Sequence, residues 1–171
     1  MNRRQFTKLL AGVGLLLAGC RAGAAPSSST PERKDSMQTT TQTYTRTTPI
    51  ETVRNDPVFG DYGRLIFPVE RSYYSGDTLE QLHLTYYNNI DPDETVDICN
   101  TLRQRAADGQ TIFYDIYTED EQAADPDKAD TGLFYFKGNP GAKFSICNAG
   151  GAFAYVGAMQ DSFPHALELS R

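Results

Sequence analysis

Residues 131–157 read TGLFYFKGNPGAKFSICNAGGAFAYVG, and the choice of fold depends on them. Two apolar runs, 133–137 and 144–148, are separated by Gly138-Asn139-Pro140-Gly141, the composition of a turn between strands. The second run opens directly into Ala149-Gly150-Gly151-Ala152. Glycine has no Cβ, so a backbone rich in it turns tightly and brings its N–H groups close to a ligand. Amides presented in that way stabilise developing negative charge, as the oxyanion hole of an acyl-transfer enzyme does. Spacing alone also admits a plain turn, because a glycine pair after a strand carries no chemistry by itself.

The flanking sequence supplies helices. Asp91-Pro92-Asp93-Glu94 is a helix start, with Asp91 as the cap, Pro92 at the first helical position and Glu94 at the reciprocal capping position. Val96, Cys99, Leu102 and Ala106 then recur at helical spacing, which turns Arg103, Gln104, Arg105 and Asp108 to water. Gly109 closes the helix as a left-handed residue, and a strand is expected at 111–117. Residues 118–130 are acidic and polar, a solvated face rather than a metal site. Beyond the glycine turn, Asp161 or Ser162 caps a helix through Ser170. Pro164 fits its first turn, and Ala166, Leu167 and Leu169 form its apolar face. His165 reads as structural.

Residues 50–90 say less. A short edge strand is expected at 65–69, since Pro68 cannot donate to a ladder. Residues 78–84 fit a brief helix or a strand equally well. His83 reads as a packing or surface residue, and Tyr86 and Tyr87 as packing rather than a sugar platform. From 21 to 49 the composition shifts to Ser, Thr, Gln, Pro and Ala with no apolar period, which describes a solvated tether. At the N-terminus, Arg3, Arg4 and Lys8 flank or precede the apolar run 9–17, which is too short to span a bilayer. That run closes on Leu17-Ala18-Gly19-Cys20, which resembles a lipobox, where Cys20 receives a diacylglycerol and becomes the new N-terminus. Arg3, Arg4, Phe6 and Lys8 resemble a twin-arginine export signal, with Thr7 where that pattern favours leucine. A general secretory signal, in which the arginines supply only charge, gives the same destination. The resulting organisation is a signal peptide over 1–19, a tether over 20–49 and a folded body over 50–171. The implied location is a bacterial cell envelope, outside the cytoplasm, with the membrane as partner through Cys20.

The 171 residues are 39% hydrophobic and 11% aromatic, ordinary for one domain with appendages. The formal net charge is −6, and without the three cations of residues 1–19 it falls to −9. An acidic body argues against nucleic acid, whose phosphates need clustered Lys and Arg. With Cys20 assigned to lipid, Cys99 and Cys147 either pair in an oxidising compartment or stay as two buried thiols, the reading preferred here. Two cysteines and the distant His83 and His165 make no metal cluster, and no cofactor is implied.

Four stretches, TIFYDIYT at 111–118, TGLFYF at 131–136, NAGGAFAYVG at 148–157 and FPHALELS at 163–170, form an ordered series. Over 91–171 this series is similar to the N-terminal portion of α/β-hydrolase-fold esterases of the dienelactone-hydrolase or acetylxylan-esterase-like kind. The resemblance implies an α/β fold class, specifically an incomplete α/β-hydrolase sheet with the N-terminal strands and first helices only. It also implies that Gly150, Gly151 and Ala152 belong to an oxyanion hole. In that family the Gly-x-Ser-x-Gly elbow, the acid and the histidine follow later in the sequence. Two positions depart from the family pattern: Ala152 stands where a third glycine is usual, and Gln160 where histidine is expected. No catalytic residue is assigned, because Ser75 lacks the preceding glycine of an elbow and Ser145 lies within an apolar run. The expectation is a truncated, exported lipoprotein related to carboxylic ester hydrolases that act on acetylated or feruloylated carbohydrate, inactive alone. The alternatives are half of a split esterase completed by a second chain, and a surface-tethered carbohydrate-binding module. A sheet left incomplete would expose a central strand edge and an apolar face.

Overall fold

A computed structural model of the chain describes residues 43–86 and 89–171. In order they form helix α1 (Ile50–Arg54), strands β1 (Tyr74–Ser75) and β2 (His83–Leu84), and the long helix α2 (Pro92–Ala107). Strand β3 (Phe113–Asp115), helix α3 (Glu119–Ala124), strand β4 (Gly132–Phe134) and helix α4 (Ser162–Leu169) follow. Short 3₁₀ turns join them, the longest being Pro57–Leu65. The arrangement is mixed α/β, with two small antiparallel sheets among the described residues. Tyr74 lies opposite Leu84 in the first; Phe113, Tyr114 and Asp115 lie opposite Phe134, Leu133 and Gly132 in the second. Arg3, Arg4, Phe6, Lys8, Cys20 and Tyr87 lie outside the described residues.

The core is built on α2. The Asp91 carboxylate accepts from the N–H groups of Asp93 (2.8 Å) and Glu94 (3.3 Å), which satisfies donors that a helix start leaves free. At the other end Gly109 takes φ +75°, its N–H donates to Ala106 and that of Gln110 to Arg105, a left-handed closure that suits glycine. Between the caps, Ile98, Cys99 and Leu102 are fully buried. They pack in one cluster with Ile50, Val53, Phe59, Ile66, Phe67, Phe163 and others. Burying a side chain of the Leu or Ile class contributes about 1.5–3 kcal/mol, so this face holds the fold together.

One residue of α2 reverses its expected orientation. Arg103, assigned to water by helical spacing, is buried, and its Nε donates to Asp56 Oδ2 at 2.9 Å. The Tyr44 hydroxyl donates to the same oxygen at 2.6 Å, and the Val58 N–H donates to Oδ1 at 3.0 Å. A guanidinium tolerates burial when a hydrogen-bonded carboxylate meets it. The same network draws residues ahead of Ile50 into the body. Tyr44 is 1% exposed, and the Asn100 side chain bonds both its N–H and its carbonyl. Composition places this stretch in the tether, because one buried aromatic among threonines leaves no periodic trace. The strand expected at 65–69 is absent: Ile66 and Phe67 instead bury themselves at the end of the 3₁₀ turn. Residues 78–84 hold both alternatives in series, a 3₁₀ turn (Leu79–Gln81) and then β2.

Candidate functional site

The β3–β4 hairpin leads into the glycine turn. Phe113 and Phe134 meet edge to face at 5.0 Å on its inner side, where Tyr62 stacks on Phe113 and Phe163 of α4 meets Phe134. Tyr114, Leu133 and Tyr135 occupy the outer side and are exposed. After the turn at Pro140-Gly141, residues 142–150 belong to no helix or strand. The strand expected at 144–148 is therefore not formed, and Phe144 and Ile146 are 89% and 67% exposed. The physical reason is that a strand exists only as part of a ladder. The N–H and C=O groups of 143–149 bond to none of the described residues.

At the turn itself, the Gly150 N–H donates to Asp161 Oδ2 at 2.7 Å. The Gly150 carbonyl accepts from the Gly157 N–H at 2.9 Å, and the Gly151 carbonyl from the Ala154 N–H at 2.9 Å. Gly151 is required as glycine: its φ is +147°, and a Cβ placed there would overlap the Tyr155 carbonyl oxygen. Ala152 and Phe153 both adopt left-handed backbone, with φ of +54° and +61°. Ala152 thus holds a conformation that suits glycine, at about 1–2 kcal/mol of strain. The N–H groups of Gly151, Ala152 and Phe153 meet no acceptor among the described residues. The turn accordingly binds one carboxylate oxygen, the chain's own, and leaves three amides over.

Asp161 explains a second difference. It flanks α4 as expected but does not cap it with its side chain, because the carboxylate is turned to Gly150. Gln160 sits under the turn against Gly157, and both polar atoms of its amide are buried without a partner among the described residues. On α4, Phe163 and Leu167 point inward, whereas Leu169, expected on the apolar face, is 67% exposed.

The remaining candidates are dispersed. His83 and His165 are exposed, and their imidazoles make no hydrogen bond among the described residues. Ser145 Oγ has only Cys147 Sγ nearby, at 3.9 Å. Cys99 and Cys147 are both free. Cys99 is fully buried, which pushes its thiol pKa up, but Cys147 is partly exposed, so the pair of buried thiols is corrected to one. Tyr155 stacks on Tyr73 (5.0 Å) and on Tyr86 (5.8 Å). A groove of ≈ 350 Å³ between α2 and α4 includes Asp93, Asp97 and Arg171 in its lining, and none of its residues belongs to the turn. Two features escaped sequence reading. One is α3, whose start is a reciprocal capping box between Thr118 and Glu121, legible as Thr-x-x-Glu. The other is the Asp161–Gly150 closure, for which the sequence holds no signal. No described helix is long and apolar enough to cross a membrane. No known protein family, curated protein or solved structure matches the chain.

Proposed function

We propose that the chain is an exported lipoprotein related to α/β-hydrolase carboxylesterases, which carries the oxyanion-type turn and does not hydrolyse esters by itself. The fold this reading assigns to 50–171 is the N-terminal part of an α/β-hydrolase domain. The observation that carries it is the state of the turn. Its first amide is held by Asp161, and among the described residues neither imidazole is hydrogen-bonded to a serine hydroxyl. Acyl transfer needs a nucleophile bonded to a base and free donors where the oxyanion forms. Here the donors outnumber the attacking groups. The purified chain is expected to leave p-nitrophenyl acetate intact beyond the buffer rate. Turnover abolished by a serine-directed phosphonate would sink the proposal. Lipidation is tested separately: labelled palmitate should enter the wild-type chain and not Cys20→Ser.

A second reading, half of a split esterase, draws support from the unbonded run 143–149. Co-expression with a chain bearing Gly-x-Ser-x-Gly should then produce phosphonate-sensitive turnover that neither chain has alone. Sugar binding on the tyrosines draws less support, because the Tyr155 ring is already stacked on Tyr73 and Tyr86.

A further inference from the structure

Residues 143–149 combine two features that usually exclude each other on a finished surface. Their peptide groups bond to no described residue, and Phe144 and Ile146 stand almost bare. One exposed apolar side chain needs no explanation. Exposed apolar side chains on a run of unpaired peptide groups have the makings of a sheet edge.

We propose that residues 143–149 are a docking edge for a strand from a second, different polypeptide, which pairs with this backbone and lays apolar side chains on Phe144 and Ile146. Strand addition satisfies both features together: ladder bonds give affinity, and alternate side chains give specificity. A lipid surface satisfies only the apolar one, since hydrocarbon offers no partner to N–H and C=O groups.

Charge narrows the partner further. From 131 to 160 the chain holds Lys137 and Lys143 and no Asp or Glu, within a protein of net charge −6. The acids that bound this stretch are already engaged, Asp130 with Arg64 and Asp161 with the Gly150 N–H. Lys143 has no ion-pair partner among the described residues. The matching strand therefore carries a carboxylate close to Lys143. The same run of a second copy does not match, because 131–160 offers lysines alone, and the net charge of −6 on each copy opposes self-association. The inference goes beyond the esterase reading and stands on the geometry and charge of this edge, whatever the chain's ancestry.

The test uses the full chain in mild detergent. The probe is a fluorescein-labelled heptapeptide alternating valine with threonine and bearing one central aspartate, with binding read by anisotropy and amide hydrogen exchange by mass spectrometry. In the free chain 143–149 should exchange rapidly, and saturating peptide should slow it by at least about tenfold. N-methylation of alternate peptide amides should abolish both effects. Lys143→Glu, at an exposed position, should weaken binding and regain it with a lysine in place of the peptide's aspartate. Ile146→Asp should remove binding while circular dichroism is unchanged. Protection of 143–149 in the free chain, with or without self-association, would overturn the proposal. So would protection by phosphatidylglycerol vesicles but not by peptide, peptide binding that leaves this exchange unaltered, or no response to millimolar peptide.

Discussion

Asp56→Asn removes one buried charge while keeping the shape of the side chain. The carboxylate is 8% exposed and accepts from the Tyr44 hydroxyl, Arg103 Nε and the Val58 amide. In the variant, Arg103 stays buried with no counter-charge. Removing one partner of a buried pair costs about 3–5 kcal/mol. An asparagine oxygen still accepts some of these bonds, which puts the expected loss near the lower figure, about 3 kcal/mol. Against a domain stability of about 5–15 kcal/mol that is a large fraction. Urea unfolding followed by circular dichroism measures it, and Arg103→Met with the double variant completes the cycle. The double variant should recover much of the loss, since neither charge is then left unpaired. A shift under about 1 kcal/mol for Asp56→Asn, or single losses that simply add, would refute the buried-pair interpretation. Acid supplies an independent check. Burial pushes the Asp56 pKa up, but the bonds from Tyr44, the Val58 amide and Arg103 outweigh it and leave it below the usual carboxylate value. A folded pKa below the unfolded one adds stability that is fully present above the unfolded value. That stability is lost as pH falls through the lowered folded value. Wild type should therefore hold its urea midpoint from neutral pH to about pH 5 and lose it below, with a shallower acid limb in Asp56→Asn.

Three further outcomes are expected. Tyr44→Phe deletes a hydrogen bond to a charged group and should cost about 1.5–3 kcal/mol in the same urea assay; no change would remove residues 43–49 from the folded body. Ala152→Gly relieves about 1–2 kcal/mol of left-handed strain and adds about 0.5–1 kcal/mol of chain entropy, for a net gain near 0.5–1 kcal/mol in thermal unfolding. The contrasting Gly151→Ala should destabilise, because its new Cβ meets backbone at Tyr155. Maleimide should label Cys147 in the native chain and reach Cys99 only in urea, as read by mass after proteolysis; native labelling of Cys99 would contradict its burial.

What the sequence disclosed followed how local each signal was. The boundaries of α2 were legible because Asp91, Pro92 and Gly109 act within a turn of their own positions. The capping box of α3 was equally local, but an acidic composition concealed it. Arg103 was misassigned because helical spacing fixes which face a residue shares and not what waits opposite it. Its counter-charge, Asp56, lies 47 residues away. The apolar runs at 111–117 and 133–137 were legible as strands, but their pairing was not: the turn composition at 138–141 pointed to 144–148 as the neighbour, whereas β3 and β4 pair with each other. The run 144–148 carries a similar pattern without a neighbour, and a pattern states a capacity to pair, not the pairing. At the site, the glycines marked the turn, while its occupant Asp161 was hidden because a carboxylate in sequence looks the same whether it caps a helix or an amide.

Backbone strain gathers in one part of this molecule, while buried polar atoms without a partner among the described residues occur there and also at Thr78 and Arg105. Among the described residues, the non-glycine residues with positive φ are Ala152 and Phe153, adjacent in the turn. Against Gly157, at the end of the same turn, lies the Gln160 amide without a partner among the described residues, and just before the turn the unbonded run 143–149. Sequences that specify one structure agree with it at every level, and local conflict persists where another requirement overrides stability. On α2 the caps and the Asp56–Arg103 pair are satisfied, whereas Arg105 Nη1 is buried without a partner among the described residues. Ala149 and Gly150 join the two conflicted segments covalently. A strand fixed along 143–149 would restrain the Gly150 amide and, through it, the Asp161 contact. Docking at the edge and exchange of the Gly150 amide are therefore coupled, and amide exchange at Gly150 that ignores a bound strand would separate them.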